Sequence, residues 1–174
     1  MSTDRYATAG GIRVHRTIEA IPIENAIEPV IRESRATSTC RARCGRRSSA
    51  GSPTFGVCLG LQGMVEHWGG TLGVLDYPMH GKASRIHVRG GRLFEGLPKE
   101  FTAGRYHSLF AVRETLPAEF EVTAETDDGI VMAVEHARLP LAAVQFYPES
   151  IMSLDADVGL RLLHHVVTRL ASAP

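Results

Sequence analysis

The rhythm of apolar and polar positions changes near residue 53. From Pro53 to Val57 the chain is apolar or small, and Cys58 follows with a glycine two positions away on either side, Gly56 and Gly60. This pattern predicts a buried strand over Phe55 to Leu59, a sharp turn, and a helix over Leu61 to Trp68. Ile86 to Val88, Ser108 to Val112, Phe120 to Ala124, Ile130 to Glu135 and Ala142 to Phe146 read as further strands. Asp127-Asp128-Gly129 has the chemistry of a hairpin turn between two of them. Towards the end, Val158, Leu162, Val166 and Leu170 recur every four residues, and Leu163 and Val167 widen the stripe. That predicts a helix over Asp155 to Leu170, capped by Ser153 or Asp155. Mixed strands with such a helix imply an α/β fold.

Upstream of residue 53 this order is lost. Residues 35–52 hold five arginines, no acids and no aliphatic residue larger than alanine. Three readings stay open there. The segment is a disordered basic linker; or Cys40 and Cys44 are metal ligands, although two cysteines alone cannot fill a tetrahedral site; or it is translated out of frame. Back-translated with GC-rich codons and shifted, Ala36 to Ser52 gives text close to DFDVPGTLRAALERGLP, an amphipathic helix followed by a turn. The chain thus divides into a leader over 1–34, an arginine-rich segment over 35–52, and an α/β domain over 53–174.

Composition narrows the function. A length of 174 residues suits one domain, and 44% hydrophobic residues is ordinary for a globular protein. Formal net charge is zero, which argues against nucleic-acid or membrane-surface binding. No apolar run approaches the roughly 20 residues a bilayer span requires, and the opening residues lack a secretion signal's apolar core. Three cysteines, one at a tight turn, do not form a disulfide framework, so a cytoplasmic setting is expected.

The chemistry centres on Gly56-Val57-Cys58-Leu59-Gly60, which has the G-x-nucleophile-x-G spacing of a nucleophile elbow. Such a turn raises its apical side chain at a helix N-terminus, where a thiolate is favoured over a thiol. The bland alternative is that Cys58 is a small buried hydrophobe. With Arg105-Tyr106-His107-Ser108-Leu109 and Val144-Gln145-Phe146-Tyr147-Pro148-Glu149-Ser150, the elbow segment resembles the class I (triad) glutamine amidotransferases, in particular the amidotransferase part of fused anthranilate synthases. Residues 53 to about 170 carry this resemblance. Gly11 to Thr17 and Glu24 to Ile31 resemble the opening of the synthase part of such fusions.

The resemblance implies a flavodoxin-like three-layer fold, incomplete because the family's N-terminal strands do not occur before Cys58. It implies that Cys58 attacks the side-chain amide of glutamine, that the Leu59 N–H supplies half of an oxyanion hole, and that Gln62, Ser108 and Leu109 hold the substrate. Glu149 matches the carboxylate that orients the catalytic base. The family histidine itself is replaced by Tyr147. A phenol, with an ordinary pKa of about 10 against about 6.5 for imidazole, is a poor acceptor of a thiol proton at neutral pH. The family's upstream S-P-G-P-G loop, which completes the oxyanion hole, has no counterpart here, and the elbow strand is expected to have a bare edge. Nothing suggests that His107 takes over as base.

The expected activity is therefore glutamine hydrolysis supplying ammonia to anthranilate synthase, from chorismate towards tryptophan, in an impaired form. Aminodeoxychorismate or phenazine relatives stay open as alternatives, although Gly60-Leu61-Gln62-Gly63-Met64-Val65-Glu66 leans to the anthranilate or phenazine type. The competing expectations are a non-catalytic amidotransferase-like module that binds a synthase, and a non-functional gene remnant. The expected partners are glutamine and the large subunit of anthranilate synthase, which family loops such as Tyr77 to Lys82, with His80 and Lys82, would face. No cofactor or metal is expected.

Overall fold

The structure, a computed structural model, describes residues 7–9, 12–15, 53–150, 153 and 157–170. Among them, eight strands form one mixed sheet: β1 (Ala7–Ala9), β2 (Ile12–His15), β3 (Thr54–Val57), β4 (Leu72–Val88), β5 (Glu100–Ala111), β6 (Phe120–Thr126), β7 (Val131–His136) and β8 (Leu141–Val144), in the order β1-β2-β3-β8-β7-β6-β4-β5. Among the described residues there are two α-helices, α1 (Leu59–His67) and α2 (Val158–His165). A π-helical turn, Val166–Leu170, continues α2.

The layering follows from the two-residue alternation of strand side chains. In β8, Leu141 and Ala143 pack with Leu61, Met64 and Val65 of α1. Ala142 and Val144 point the other way, into the cluster that holds Val158, Leu162, Val166 and Leu170 of the terminal helical segment. With helices on both faces, β7 and β8 are buried along their whole length, as a covered sheet demands. The result is the expected three-layer α/β arrangement. The predicted stripe of Val158, Leu162, Val166 and Leu170 is the buried face of α2 and its continuation.

Three expectations are corrected. The elbow strand does not end the sheet: β2 pairs parallel to β3, with Val14 opposite Phe55, and β8 pairs parallel on the other side. Both edges of β3 are thus hydrogen-bonded, and what lies beyond is short, the four residues of β2 and the three of β1.

Secondly, Tyr77 to Lys82 is not a loop but part of β4, a 17-residue strand that runs antiparallel to β5. Its ladder shifts register between Val74 and Met79 and again between His80 and Lys82. Pro78 and Gly81, which signal a turn, sit in these two irregularities. Proline withholds a ladder N–H, and Gly81 takes φ 66°, so they produce bulges instead of ending the strand.

Thirdly, Ser153 does not cap the terminal helix. Asp157 is its N-cap residue, in the left-handed region at φ 56°, and the Ser153 hydroxyl bonds to the backbone of Tyr147 and Gly104 instead. Asp155, Cys40, Cys44 and the whole of the arginine-rich segment lie outside the described residues. Of the leader, only the backbone of β1 and β2 is described.

Candidate active site

β3 ends at Val57, and Cys58 turns the chain directly into α1. Its backbone has φ 53° and ψ −101°, a strained conformation for a residue with a Cβ. Two features hold it there. The Cys58 N–H donates to the Val144 carbonyl of β8 at 2.8 Å, and the Cys58 carbonyl accepts from the N–H groups of Leu61 and Gln62 at 3.0 and 3.2 Å. The turn is so tight that a Cβ on Gly56 would stand 2.7 Å from the Gly60 carbonyl carbon. Gly60 itself has open space around its would-be Cβ. The steric need for glycine in this elbow is therefore at Gly56.

Cys58 is the N-cap residue of α1, and its side chain is buried, 4% exposed. Leu59 is the first helical residue, so its N–H has no acceptor within the helix and belongs to the positive end of the helix dipole.

Two carboxamides connect the thiol to β5. Gln62 and Gln145 are both fully buried. Gln62 Nε2 donates to the Leu109 carbonyl at 3.1 Å and to Gln145 Oε1 at 3.3 Å, and Gln145 Nε2 donates to Cys58 Sγ at 3.5 Å. Gln62 is thus an internal polar link, not a solvated helix residue. Gln145 has no role in the expected site. The signal that could have found it is a lone carboxamide in the apolar run Leu141 to Phe146, since a buried amide requires partners.

Among the other expected residues, Ser108 and Leu109 are buried on β5. Tyr147 is half-buried, and its ring meets that of Tyr106 edge-on, with centroids 5.2 Å apart. Its backbone is clamped from both sides. The Tyr147 N–H donates to the Gly104 carbonyl at 3.2 Å, the Ser153 hydroxyl donates to the Tyr147 carbonyl at 2.7 Å, and the same hydroxyl accepts from the Gly104 N–H at 3.1 Å. Glu149 is exposed on the turn that follows.

His107 is fully buried beside this network. Arg105 Nε donates to its Nε2 at 3.0 Å. A guanidinium can only donate, so Nε2 is the acceptor and Nδ1 carries the proton, which it gives to the Leu109 carbonyl at 2.8 Å. Burial, reinforced by the Arg105 charge, pushes the His107 pKa down to about 3. Both ring nitrogens are committed and the ring is neutral, so His107 has no lone pair to offer the Cys58 thiol.

Fold and site together define an α/β sandwich with a strained cysteine between a parallel strand and a helix. The family model described as glutamine amidotransferase class-I matches residues 32–163, and the chain belongs to that family. It is 66% identical over 122 residues to an anthranilate synthase of Azospirillum brasilense, a match that covers 70% of this chain and 17% of that protein. It is 49% identical over 126 residues to anthranilate synthase component 2 of the same organism, covering 72% of this chain and 64% of the relative. It is 50% identical over 101 residues to the aminodeoxychorismate/anthranilate synthase component 2 of Bacillus subtilis, covering 58% and 52%. The chain thus spans less than two thirds of the length of each of these relatives. Among solved structures, a glutamine amidotransferase from Thermotoga maritima matches with a TM-score of 0.65 at 12% identity, over 93% of this chain and 78% of that one, a likeness of fold. A candidate GMP synthase component from Thermoplasma acidophilum matches with a TM-score of 0.68 at 25% identity, over 76% and 64%.

Proposed function

We propose that this chain is the amidotransferase module of an anthranilate-type synthase and that Cys58 is its nucleophile. The observation that carries this reading is the placement of Cys58 as the N-cap residue of α1, on a strained turn that β8 holds in place. In the reaction, Sγ attacks the side-chain amide carbon of glutamine. The oxyanion that forms is met by the Leu59 N–H, ammonia leaves, and water hydrolyses the glutamyl thioester to glutamate. The similarity to anthranilate synthase components supports delivery of the ammonia to a synthase that aminates chorismate, on the route to tryptophan. The exposed arm of β4 supports a docking place for that large subunit: Tyr77 is 80% and Val74 57% exposed there, with His80 and Lys82 alongside.

The same geometry supports a slow enzyme. Departing ammonia needs a proton, and Tyr147 stands where the family places the imidazole that returns it. His107 is locked in the neutral, doubly bonded state. A second reading, a partner-binding module without catalysis, is favoured by the edge-on contact of Tyr147 with Tyr106, which engages the Tyr147 ring in aromatic packing.

Glutamate release from glutamine, measured on the purified chain and on Cys58→Ala and Tyr147→His, tests the proposal. The expected result is a weak rate that vanishes in Cys58→Ala. Tyr147→His should raise it and yet leave it about 10²–10³-fold below a complete family enzyme, the usual worth of one oxyanion donor. A wild-type rate that Cys58→Ala leaves untouched would sink the nucleophile assignment.

A further inference from the structure

The order of donors and acceptors around Cys58 is dictated by one backbone atom. The Leu109 carbonyl can only accept. It receives Nδ1–H of His107 at 2.8 Å and the amide of Gln62 at 3.1 Å. Gln62 must therefore turn its NH₂ end towards β5, and that same Nε2 stands 3.3 Å from Gln145 Oε1. With its oxygen facing Gln62, Gln145 presents its own NH₂ to Cys58 Sγ at 3.5 Å. Turning the Gln62 amide over would set oxygen against oxygen at Leu109. Turning Gln145 over would set NH₂ against NH₂. Both carboxamides are fully buried, so water cannot relieve either mismatch.

The sulfur is thus given a fixed hydrogen-bond donor. A thiol is a weak acceptor and a thiolate a strong one, so a donor aimed at sulfur favours the charged form. The effect adds to that of the α1 N-terminus, where Cys58 sits. We infer that Gln145 holds Cys58 as a thiolate by hydrogen-bonding its sulfur, with Gln62 as the positioning residue that fixes the polarity of the Gln145 amide. In a chain with tyrosine at position 147, this arrangement supplies a charged nucleophile without a neighbouring imidazole. It does nothing for the proton that departing ammonia needs. The inference rests on Cys58 being the nucleophile proposed above, but it concerns the ionisation of the thiol and not turnover.

The test is the pH dependence of Cys58 alkylation by iodoacetamide in a chain carrying Cys40→Ser and Cys44→Ser, which leaves a single thiol. The midpoint is expected below the ordinary thiol value of about 8.5. Gln145→Glu, equal in shape but offering an anionic acceptor, should raise it by at least about one pH unit, a tenfold loss of thiolate at fixed pH. Gln145→Met should shift it in the same direction by less, and Gln62→Met should do so through the freed Gln145 amide. A wild-type midpoint at or above about 8.5 overturns the inference whether or not the variants fold. So do Gln145 variants with intact circular dichroism that titrate like the parent. A low midpoint in a chain that releases no glutamate would leave this inference standing and sink the proposed activity; an ordinary midpoint in a chain that does release it would do the reverse.

Discussion

Ser153 holds Tyr147 in place through the backbone: its hydroxyl donates to the Tyr147 carbonyl at 2.7 Å while accepting the Gly104 N–H at 3.1 Å. Gly104 in turn accepts the Tyr147 N–H at 3.2 Å. One buried hydroxyl therefore joins β5 to Tyr147, the residue that the proposed reading puts at the family's histidine position. Ser153→Ala leaves the buried Gly104 N–H without that acceptor, and such a loss typically costs about 1–3 kcal/mol. Thermal unfolding followed by circular dichroism should show a lower midpoint, and Ser153→Thr, which keeps the hydroxyl, should recover part of it. An unchanged midpoint in Ser153→Ala would mean that the clamp adds nothing.

The elbow depends sterically on Gly56. A Cβ there would stand 2.7 Å from the Gly60 carbonyl carbon and 2.9 Å from its oxygen, both backbone atoms that cannot swing aside. Gly56→Ala must therefore open the turn, and backbone shifts of this kind cost about 1–3 kcal/mol. Gly60→Ala meets nothing within 4 Å, so its effect on folding should be small. The pair is compared by urea midpoint and by Cys58 alkylation rate. Equal damage from the two substitutions would contradict the asymmetry.

What the sequence makes legible follows from how local each signal is. The elbow is legible because its signal lies within five consecutive residues, although only the first of its two glycines, Gly56, is sterically required. The terminal helix is legible because its four-residue period matches a one-sided burial, with Val158, Leu162, Val166 and Leu170 all inside. β4 is not. Pro78 and Gly81 normally interrupt a strand, and only the long ladder offered by β5, itself twelve residues, lets them act as bulges. The role of Gln145 is invisible for a similar reason, since its partners are 83 and 87 positions away. The parallel pairing of β2 with β3 is likewise non-local, across some forty residues whose text gives no hint of it.

Gly159 brings α2 down onto the segment that carries Tyr147. A Cβ on Gly159 would stand 1.9 Å from the Pro148 carbonyl oxygen. Gly159→Ala must push the helix and the 147–150 turn apart, although alanine is the better helix former by about 1 kcal/mol. Net destabilisation, seen as a lower urea midpoint, is expected because the backbone clash outweighs propensity. A more stable Gly159→Ala would show that the turn yields freely.

The buried imidazole of His107 makes the fold sensitive to acid in a defined window. In the unfolded chain a histidine titrates near 6.5; in the folded protein, burial first and the Arg105 charge second lower it to about 3. Between these values the unfolded chain takes up a proton that the folded chain refuses. Stability is thus complete above pH ~6.5 and declines as pH falls towards about 3, by at most about 1.4 kcal/mol per unit. His107→Gln keeps an acceptor for Arg105 and removes the titration. Burial lowers His136 as well, but that group is common to both proteins and cancels in the comparison. Urea midpoints measured at pH ~7 and ~4.5 should converge between wild type and variant as the solution is acidified, because only the wild type carries the refused proton. Parallel loss in the two proteins would show that the folded chain accepts a proton at position 107, and with it that the Arg105–His107–Leu109 chain of hydrogen bonds is not held in the polarity that fixes Gln62.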